Sequence, residues 1–333
     1  MSEATIQGYQ YRRWEKPPPP ARLIWPAIIF NEIRLALRES KTRTLIMTSG
    51  VLVLGAVGMF YFISLLETLM GTESAKGAFE FIRAMFGIDL SGLKVHEFRD
   101  ALWRCSFLLM IKAQMVWVLI VVARVGAGLI SKDLKARALP IYFAKPLTPL
   151  TYLLGKWGVI ASFIALIMLI PNMLALALGT AITGGPGSWG QIASMAGGLM
   201  ISGAVVCVVA GAVILALSSL SSDQRYVTVG WVAVCLLSIV AQRIVDDALP
   251  AESSNTWLRA ISLRDNIVML SERALGVRQA LEVSGLPGDQ LSQALSRPLE
   301  PSNAIVLAVL AAVSILVAWR RVVRFSRSAA TVQ

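Results

Sequence analysis

Long apolar runs almost free of charge, separated by short polar stretches, set the pattern of this chain. From Trp157 to Ser222 there is not one Asp, Glu, Lys or Arg. A membrane crossing takes about 20 predominantly apolar residues, and a water-facing domain has no use for an uncharged run of this length. The run reads as two membrane-spanning helices joined at Gly184-Gly185-Pro186-Gly187, where glycine and proline interrupt the helical pattern. The same test along the whole chain predicts six spans, near residues 44–66, 106–128, 152–182, 191–217, 226–242 and 303–319. Pro171 is expected to kink the third. The second contains Lys112 and Arg124, each close enough to an end for its stem to reach the interface. Lys112, read as the one membrane-embedded charge, either snorkels toward Glu97 or Asp100 or lines a path or interface; no span holds a carboxylate. The expected fold is an all-α, polytopic membrane domain over 44–319, between an N-terminal segment 1–43 and a basic tail 320–333.

The connections 67–105 and 243–302 are too long to be plain turns. Residues 256–283 read as an amphipathic helix, with Leu258, Ile261, Ile267, Leu270, Ala274 and Leu281 near a 3.6-residue period, ended by Gly285, Pro287 and Gly288. Residues 77–86 are a weaker helical candidate. These segments form either a lid over an exit or a packed cap. In the fourth span Gly203, Cys207 and Gly211 recur every four residues, and such a face lets helix backbones approach closely, within one subunit or between two copies.

Composition agrees with a membrane protein: 56% of residues are apolar and 15% charged, against about 45–50% and 25% in soluble domains. This excludes an ordinary soluble enzyme and a disordered chain. The net charge of +11 would suggest nucleic acid if it were spread over a soluble surface. It is not: segments 1–43, 124–156, 218–225 and 320–333 hold most of the Lys and Arg and few acids, while 67–105 and 243–302 are slightly acidic. Basic loops stay cytoplasmic, so both termini are expected inside and no nucleic acid is expected as a partner. Cys105, Cys207 and Cys235 are scattered, and His96 is the sole histidine, so neither a disulfide framework nor a metal site is expected. The polar start, running into Pro17-Pro18-Pro19-Pro20, does not suggest a cleavable signal peptide.

Catalytic templates fail in turn. The nearest approach to a phosphate loop is Gly155-Lys156, but Leu150 occupies the first glycine position and Trp157 the hydroxyl position. Gly-x-Ser-x-Gly, His-Glu-x-x-His and Cys-x-x-Cys do not occur. The chain is therefore read as a non-catalytic subunit with no cofactor of its own.

Two basic segments carry more information. Residues 26–40 begin with a helix-compatible Pro26 and alternate Ile29, Ile33 and Leu37 with Asn31, Arg34 and Arg38, behind Trp25 as an interfacial anchor. This predicts a helix lying on the membrane surface, with a soluble cytoplasmic helix as the alternative. Between spans two and three, 131–137 is highly charged, and Leu134, Ala138 and Ile141 fall at i, i+4 and i+7, flanked by Lys132, Lys135 and Arg137. A short helix with that surface suits docking into a partner's groove.

At this point the residues resemble a family. From Asp133 to Lys156 the chain is similar, without gaps, to the pattern Glu-x-x-x-Gly-Thr-Leu, Pro-x-Ser-Arg, Gly-Lys of permeases of ABC-2 type transporters. Leu139, Pro146, Gly155 and Lys156 match, with Asp133 for the Glu and Thr148 for the Ser; Arg137 and Ala138 replace Gly-Thr, and Pro149 replaces the Arg. Pro140 is unusual inside a helix and is expected to shorten or kink it. Ahead of span one, Asn31-Glu32-Ile33 resembles the family's Lys-Glu-Leu.

The resemblance implies a type V exporter-like permease in a bacterial inner membrane, paired as a homodimer or heterodimer. Trp25 to Arg38 would be its elbow helix, and Lys132 to Ile141 the coupling helix, contacting a cytoplasmic ATPase subunit together with Pro146 and Lys156. ATP and Mg would be bound by that partner. A scaffold that recruits a cytoplasmic partner through 124–156 without transport is the alternative, and an ion-coupled carrier is disfavoured by the missing carboxylates. Lipid, drug, peptide and glycan all stay open as substrate.

Overall fold

The computed structural model describes residues 24–69, 95–143, 147–248, 260–284 and 301–330, together with Gly77, Glu80, Arg83 and Ala84. Among the described residues every regular element is helical: α1 (Ile24–Arg38), α2 (Ser40–Leu69), α3 (Val95–Val121), α4 (Gly128–Lys135), α5 (Leu139–Phe143), α6 (Pro149–Ile164), α7 (Ile170–Thr183), α8 (Trp189–Leu220), α9 (Gln224–Ala248), α10 (Leu263–Ala274), α11 (Val277–Val283) and α12 (Pro301–Ala330). Single π-helical turns, Val122–Gly126 and Ala165–Leu169, join α3 to α4 and α6 to α7.

Six of the resulting helical stretches are long and apolar enough to cross a membrane: Ser40–Leu65, Phe98–Lys135, Pro149–Thr183, Trp189–Leu220, Gln224–Val245 and Pro301–Phe325. The second, third and fourth are the most buried, and the first and fifth expose most of their surface. In hydrocarbon every backbone group must be satisfied within the helix, which is why the uncharged windows and the helices coincide. Both described chain ends lie at one end of the bundle. Ile28 and Ile29 of α1 rest on Gly155 and Gly158 at the start of α6, and Ala318 and Trp319 of α12 face Leu150 and Leu153 across an apolar crevice of about 270 Å³. This is called the basic end below, after Lys41, Arg124, Lys132 and their neighbours.

The spans run further than the uncharged windows. Helix Phe98–Lys135 takes in Arg99, Asp100, Arg104 and Arg124 besides Lys112, so Lys112 is not the sole charge in a span. These charges persist because they have partners. Arg104 donates from Nε to Asp100 Oδ2 at 2.8 Å, from Nη2 to Ser194 Oγ at 2.9 Å and from Nη1 to the Leu275 carbonyl. Asp100 is thereby paired away from Lys112, which is half-buried and makes no ion pair among the described residues; the Glu97 side chain lies outside them.

The π turns have identifiable work. A π turn, Ala165–Leu169, stands directly before Pro171, where the ladder has to accommodate the missing amide and the ring bulk. After the other bulge, the amides of Ile130 and Ser131 both donate to Ser218 Oγ at 3.0 Å, and the same hydroxyl donates to the Ala127 carbonyl at 3.0 Å. One buried serine thus satisfies backbone groups that the irregular turn frees.

Between spans five and six the expected single helix is two. Its start at 256 lies outside the described residues, and α10 and α11 meet at Leu275 and Gly276, where Gly276 adopts a left-handed φ of 64°. Both pack on the bundle as a cap rather than standing clear of it, burying Leu263, Ile267, Val268, Leu275, Val277 and Leu281. A chain of amides fixes the approach: Asn303 Nδ2 donates to Asn266 Oδ1 at 2.7 Å, and Asn266 Nδ2 to the Ala260 carbonyl at 2.8 Å. Glu272 is buried here too, so a carboxylate lies within the helical assembly that span reading alone had left outside. The 77–86 candidate falls largely outside the described residues.

Candidate functional site

Three charged side chains far apart in sequence meet at the basic end. Lys156, in the second turn of α6, is 3% exposed. Its Nζ lies 2.7 Å from Glu32 Oε1 on α1 and 2.9 Å from Asp133 Oδ2 on α4. The Tyr152 hydroxyl donates to the same Asp133 oxygen at 2.7 Å, and the Lys156 ammonium sits 5.6 Å from the Tyr152 ring centroid. One ammonium and one phenol therefore serve two carboxylates in a largely water-excluded pocket. Charge-assisted bonds of this length are about twice as strong as neutral ones.

Local sequence explains the geometry. Thr148 caps α6, its side chain accepting from the Thr151 amide, and Pro149 opens the helix. Tyr152 and Lys156 are one turn apart and so share a face. Gly155 and Gly158 leave the neighbouring stripe without side chains, and Ile28 and Ile29 of α1 fill it, which brings Glu32 within reach. Tyr142 of α5 stacks obliquely on Tyr152, with ring centroids 6.3 Å apart. Burial, and then the Asp133 carboxylate, push the Tyr142 phenol above its ordinary pKa, so it stays neutral at any physiological pH.

A second clamp lies beside the first. Arg124, in the π turn, donates from Nη2 to Glu39 Oε2 at 2.8 Å and from Nε to Thr42 Oγ1 at 3.3 Å, while its carbonyl accepts from Gln224 Nε2 at 3.3 Å. It joins the bend between α1 and α2 to span two and to the start of α9.

The single coupling helix expected over 132–141 is broken in two. At the end of α4 the Arg137 amide donates to the Leu134 carbonyl at 3.1 Å and the Ala138 amide to the Asp133 carbonyl at 2.9 Å, with Arg137 at a φ of 51°. This is a left-handed C-terminal cap, a conformation that usually takes glycine. The pattern this loop resembles carries glycine at that very position. Pro140 then falls in the first turn of α5, where a proline is tolerated, instead of kinking one longer helix. In consequence Leu134, Ala138 and Ile141 do not form one stripe. Leu134 and Ala138 are half-buried, Leu139 turns fully inward, and Ile141 is 65% exposed beside the exposed Lys132, Lys135 and Arg137. Arg137→Gly is expected to raise stability by about 1 kcal/mol and Arg137→Val to lower it by at least as much, read as opposite shifts of the thermal unfolding midpoint in detergent.

Of the remaining elbow residues, Ile29, Ile33 and Leu37 pack toward the bundle, while Trp25, Arg34 and Arg38 are exposed. Pro146 lies outside the described residues. The small-residue face of span four is used inside this chain. Trp157 Nε1 donates to the Cys207 carbonyl at 3.1 Å, a Cβ on Gly211 would meet the Trp157 ring at 2.8 Å, and Gly203 faces Leu169. Cys105, Cys207 and Cys235 are free thiols. Among the described residues no group of three His, Cys, Asp or Glu side chains is placed to hold a metal ion.

Sequence reasoning singled out Glu32, Asp133 and Lys156 separately but missed Tyr152, Tyr142 and the Arg124 clamp. Tyr152 had a signal, its one-turn spacing from Lys156. Gln114 and Asn172, buried and joined by a 2.9 Å bond from Asn172 Nδ2 to Gln114 Oε1, had none in the span pattern. No protein-family model matches the chain, and no curated protein does.

Proposed function

We propose that this chain is the membrane-spanning subunit of an ATP-driven exporter of the ABC-2 type, working as one of a pair and powered by a separate cytoplasmic ATPase. The observation that carries the reading is the Glu32–Lys156–Asp133 junction. It ties a surface helix, the first intracellular-type loop and the base of span three into one rigid unit. A push on α4 and α5 from outside the membrane is then delivered to α1 and α6 together, because buried charge-assisted bonds do not stretch gradually. Lys132, Lys135, Arg137 and the apolar Ile141 present the surface for such a push. Lys156 is almost fully buried between its two carboxylates, which suits a role of holding and transmitting. Hydrolysis falls to the partner, since the sequence has no phosphate loop. The basic end would face the cytoplasm of a bacterial-type inner membrane.

Purification of the native tagged chain in mild detergent, with mass spectrometry of co-eluting chains and an ATPase assay, tests this. The expected result is a stoichiometric subunit bearing a phosphate loop, whose hydrolysis is lost on mutating that loop's Lys and uncoupled by Arg137→Glu with assembly intact. An intact oligomer with no ATPase would overturn the reading in favour of a scaffold.

A further inference from the structure

At the basic end, the start of α9 is flanked by two open cavities. One, of about 700 Å³, lies between α2, α3 and α9 and is lined by Lys41, Thr44, Arg124 and Thr228 with Leu119 and Val232 above them. The other, about 540 Å³, lies on the far side of Gln224 and Thr228, which line both, and carries Lys132, Lys135 and Arg225. Five cations thus surround one helix start. The acids nearby are Glu39, committed to Arg124, and Asp223, whose Oδ1 accepts from the Arg225 amide at 2.9 Å. The polarity is graded along the bundle axis: cations and hydroxyls at the end, then Leu45, Leu119, Ile120 and Val232 toward the middle. Ile120 is exposed at its rim, and two of the three spans that flank the first cavity, the first and the fifth, are the least buried of the six, so the groove opens sideways.

We infer that this groove is a binding site for an anionic phospholipid of the leaflet at the basic end. Its phosphate is held by Lys41 and Thr44 in the first cavity, beside Gln224 and Thr228, and an acyl chain runs along Leu119, Ile120 and Val232. Only an amphiphile with a negative head matches both charge and gradient: a free anion leaves the apolar wall wet, and a zwitterionic lipid leaves the excess positive charge uncompensated. Basic pockets between spans on the cytoplasmic side recognise headgroups through these terms. The inference does not depend on transport.

The test uses the full chain, delipidated in a neutral detergent, with native mass spectrometry and thermal unfolding. Phosphatidylglycerol is expected to add as a discrete bound mass and to raise the unfolding midpoint, while phosphatidylcholine and inorganic phosphate at equal concentration do neither. The double variant Lys41→Gln/Thr44→Val changes only exposed side chains that line the first cavity, so its lipid-free midpoint should match that of the wild type, and its phosphatidylglycerol affinity should fall about tenfold. Any of four results would overturn the inference: equal binding of phosphatidylcholine, a response to phosphate alone, undiminished binding by the double variant, or a second copy of the chain covering the groove in a cross-linked dimer. Should the variant itself melt early, Lys41→Met alone supplies the same comparison.

Discussion

Replacing Lys156 with Met is expected to destabilise the protein by about 3–5 kcal/mol, the usual consequence of removing one partner from a buried ion pair. The loss does not come from the ion pairs themselves, whose attraction is largely offset by desolvation. It comes from what stays behind. Asp133 and Glu32, with 14% and 29% of their side chains exposed, would face one another without the cation that separates them. Asp133 keeps the Tyr152 hydroxyl, whereas Glu32 keeps no side-chain bond among the described residues, so α1 is expected to lift from α6 first. The triple variant Lys156→Met, Glu32→Gln, Asp133→Asn removes the stranded charges and should recover most of the stability, since a buried pair exchanged for neutral groups of similar size is often neutral or better. Unfolding midpoints of the single and triple variants, with protease sensitivity near residues 24–38, separate these outcomes. A single variant as stable as wild type would mean that Lys156 does not hold α1 and α4 against α6. Under the proposed function the triple variant should fold yet couple poorly, because neutral amides replace the bonds that bind α1 to α4.

Much of this was legible in the chain. The six crossings follow from one constraint, the need of a backbone in hydrocarbon to satisfy itself, and that constraint writes long uncharged windows. What the windows concealed is where tertiary partners change the rule. Arg99, Asp100 and Arg104 read as the polar edge of a connection, yet they continue a helix because Ser194 and the Leu275 carbonyl receive Arg104. Glu32, Asp133 and Lys156 each stood out, but Lys156 and Glu32 are 124 residues apart, and no periodicity spans that distance. The break at Arg137 was hidden by a spacing that fits one helix equally well; the glycine at that position in the resembling pattern was the unread clue to a left-handed residue. The π turns left no trace, since a single inserted residue shifts an apolar face by too little to show in a sequence that is apolar all round. The destination of the Gly203–Cys207–Gly211 face was open for the same reason: small residues announce a close approach without naming the partner, and here the partners are Trp157 and Leu169 of span three.

The neighbouring glycines of α8 give the sharpest contrast between adjacent positions, and Gly198→Ala is expected to be destabilising where Gly197→Ala is not. A Cβ on Gly198 would lie 2.5 Å from the Ala274 carbonyl oxygen and 3.0 Å from the Leu275 Cα, whereas one on Gly197 meets nothing within 4 Å. The obstacle is backbone, with no flexible tip to turn aside, so either α8 or the α10–α11 corner must shift bodily. That corner is where Arg104 donates to the Leu275 carbonyl, so a shift also lengthens the bond that keeps the guanidinium satisfied in the bundle. Overpacking typically costs about 1–3 kcal/mol, and the weakened Arg104 bond puts this case in the upper part of that range. Gly197→Ala should be neutral or slightly favourable, as alanine suits a helix better than glycine. Cys105 reports the movement directly: it is buried next to Arg104 and within electrostatic reach of Glu272 on α10. With Cys207 and Cys235 replaced by Ala, a maleimide should label Cys105 faster in the Gly198→Ala protein than in wild type, and at the wild-type rate in the Gly197→Ala protein. Equal labelling and equal midpoints in all three would mean that the α10–α11 corner is not seated on α8, and the packed cap would have to give way to a cover that stands off the bundle.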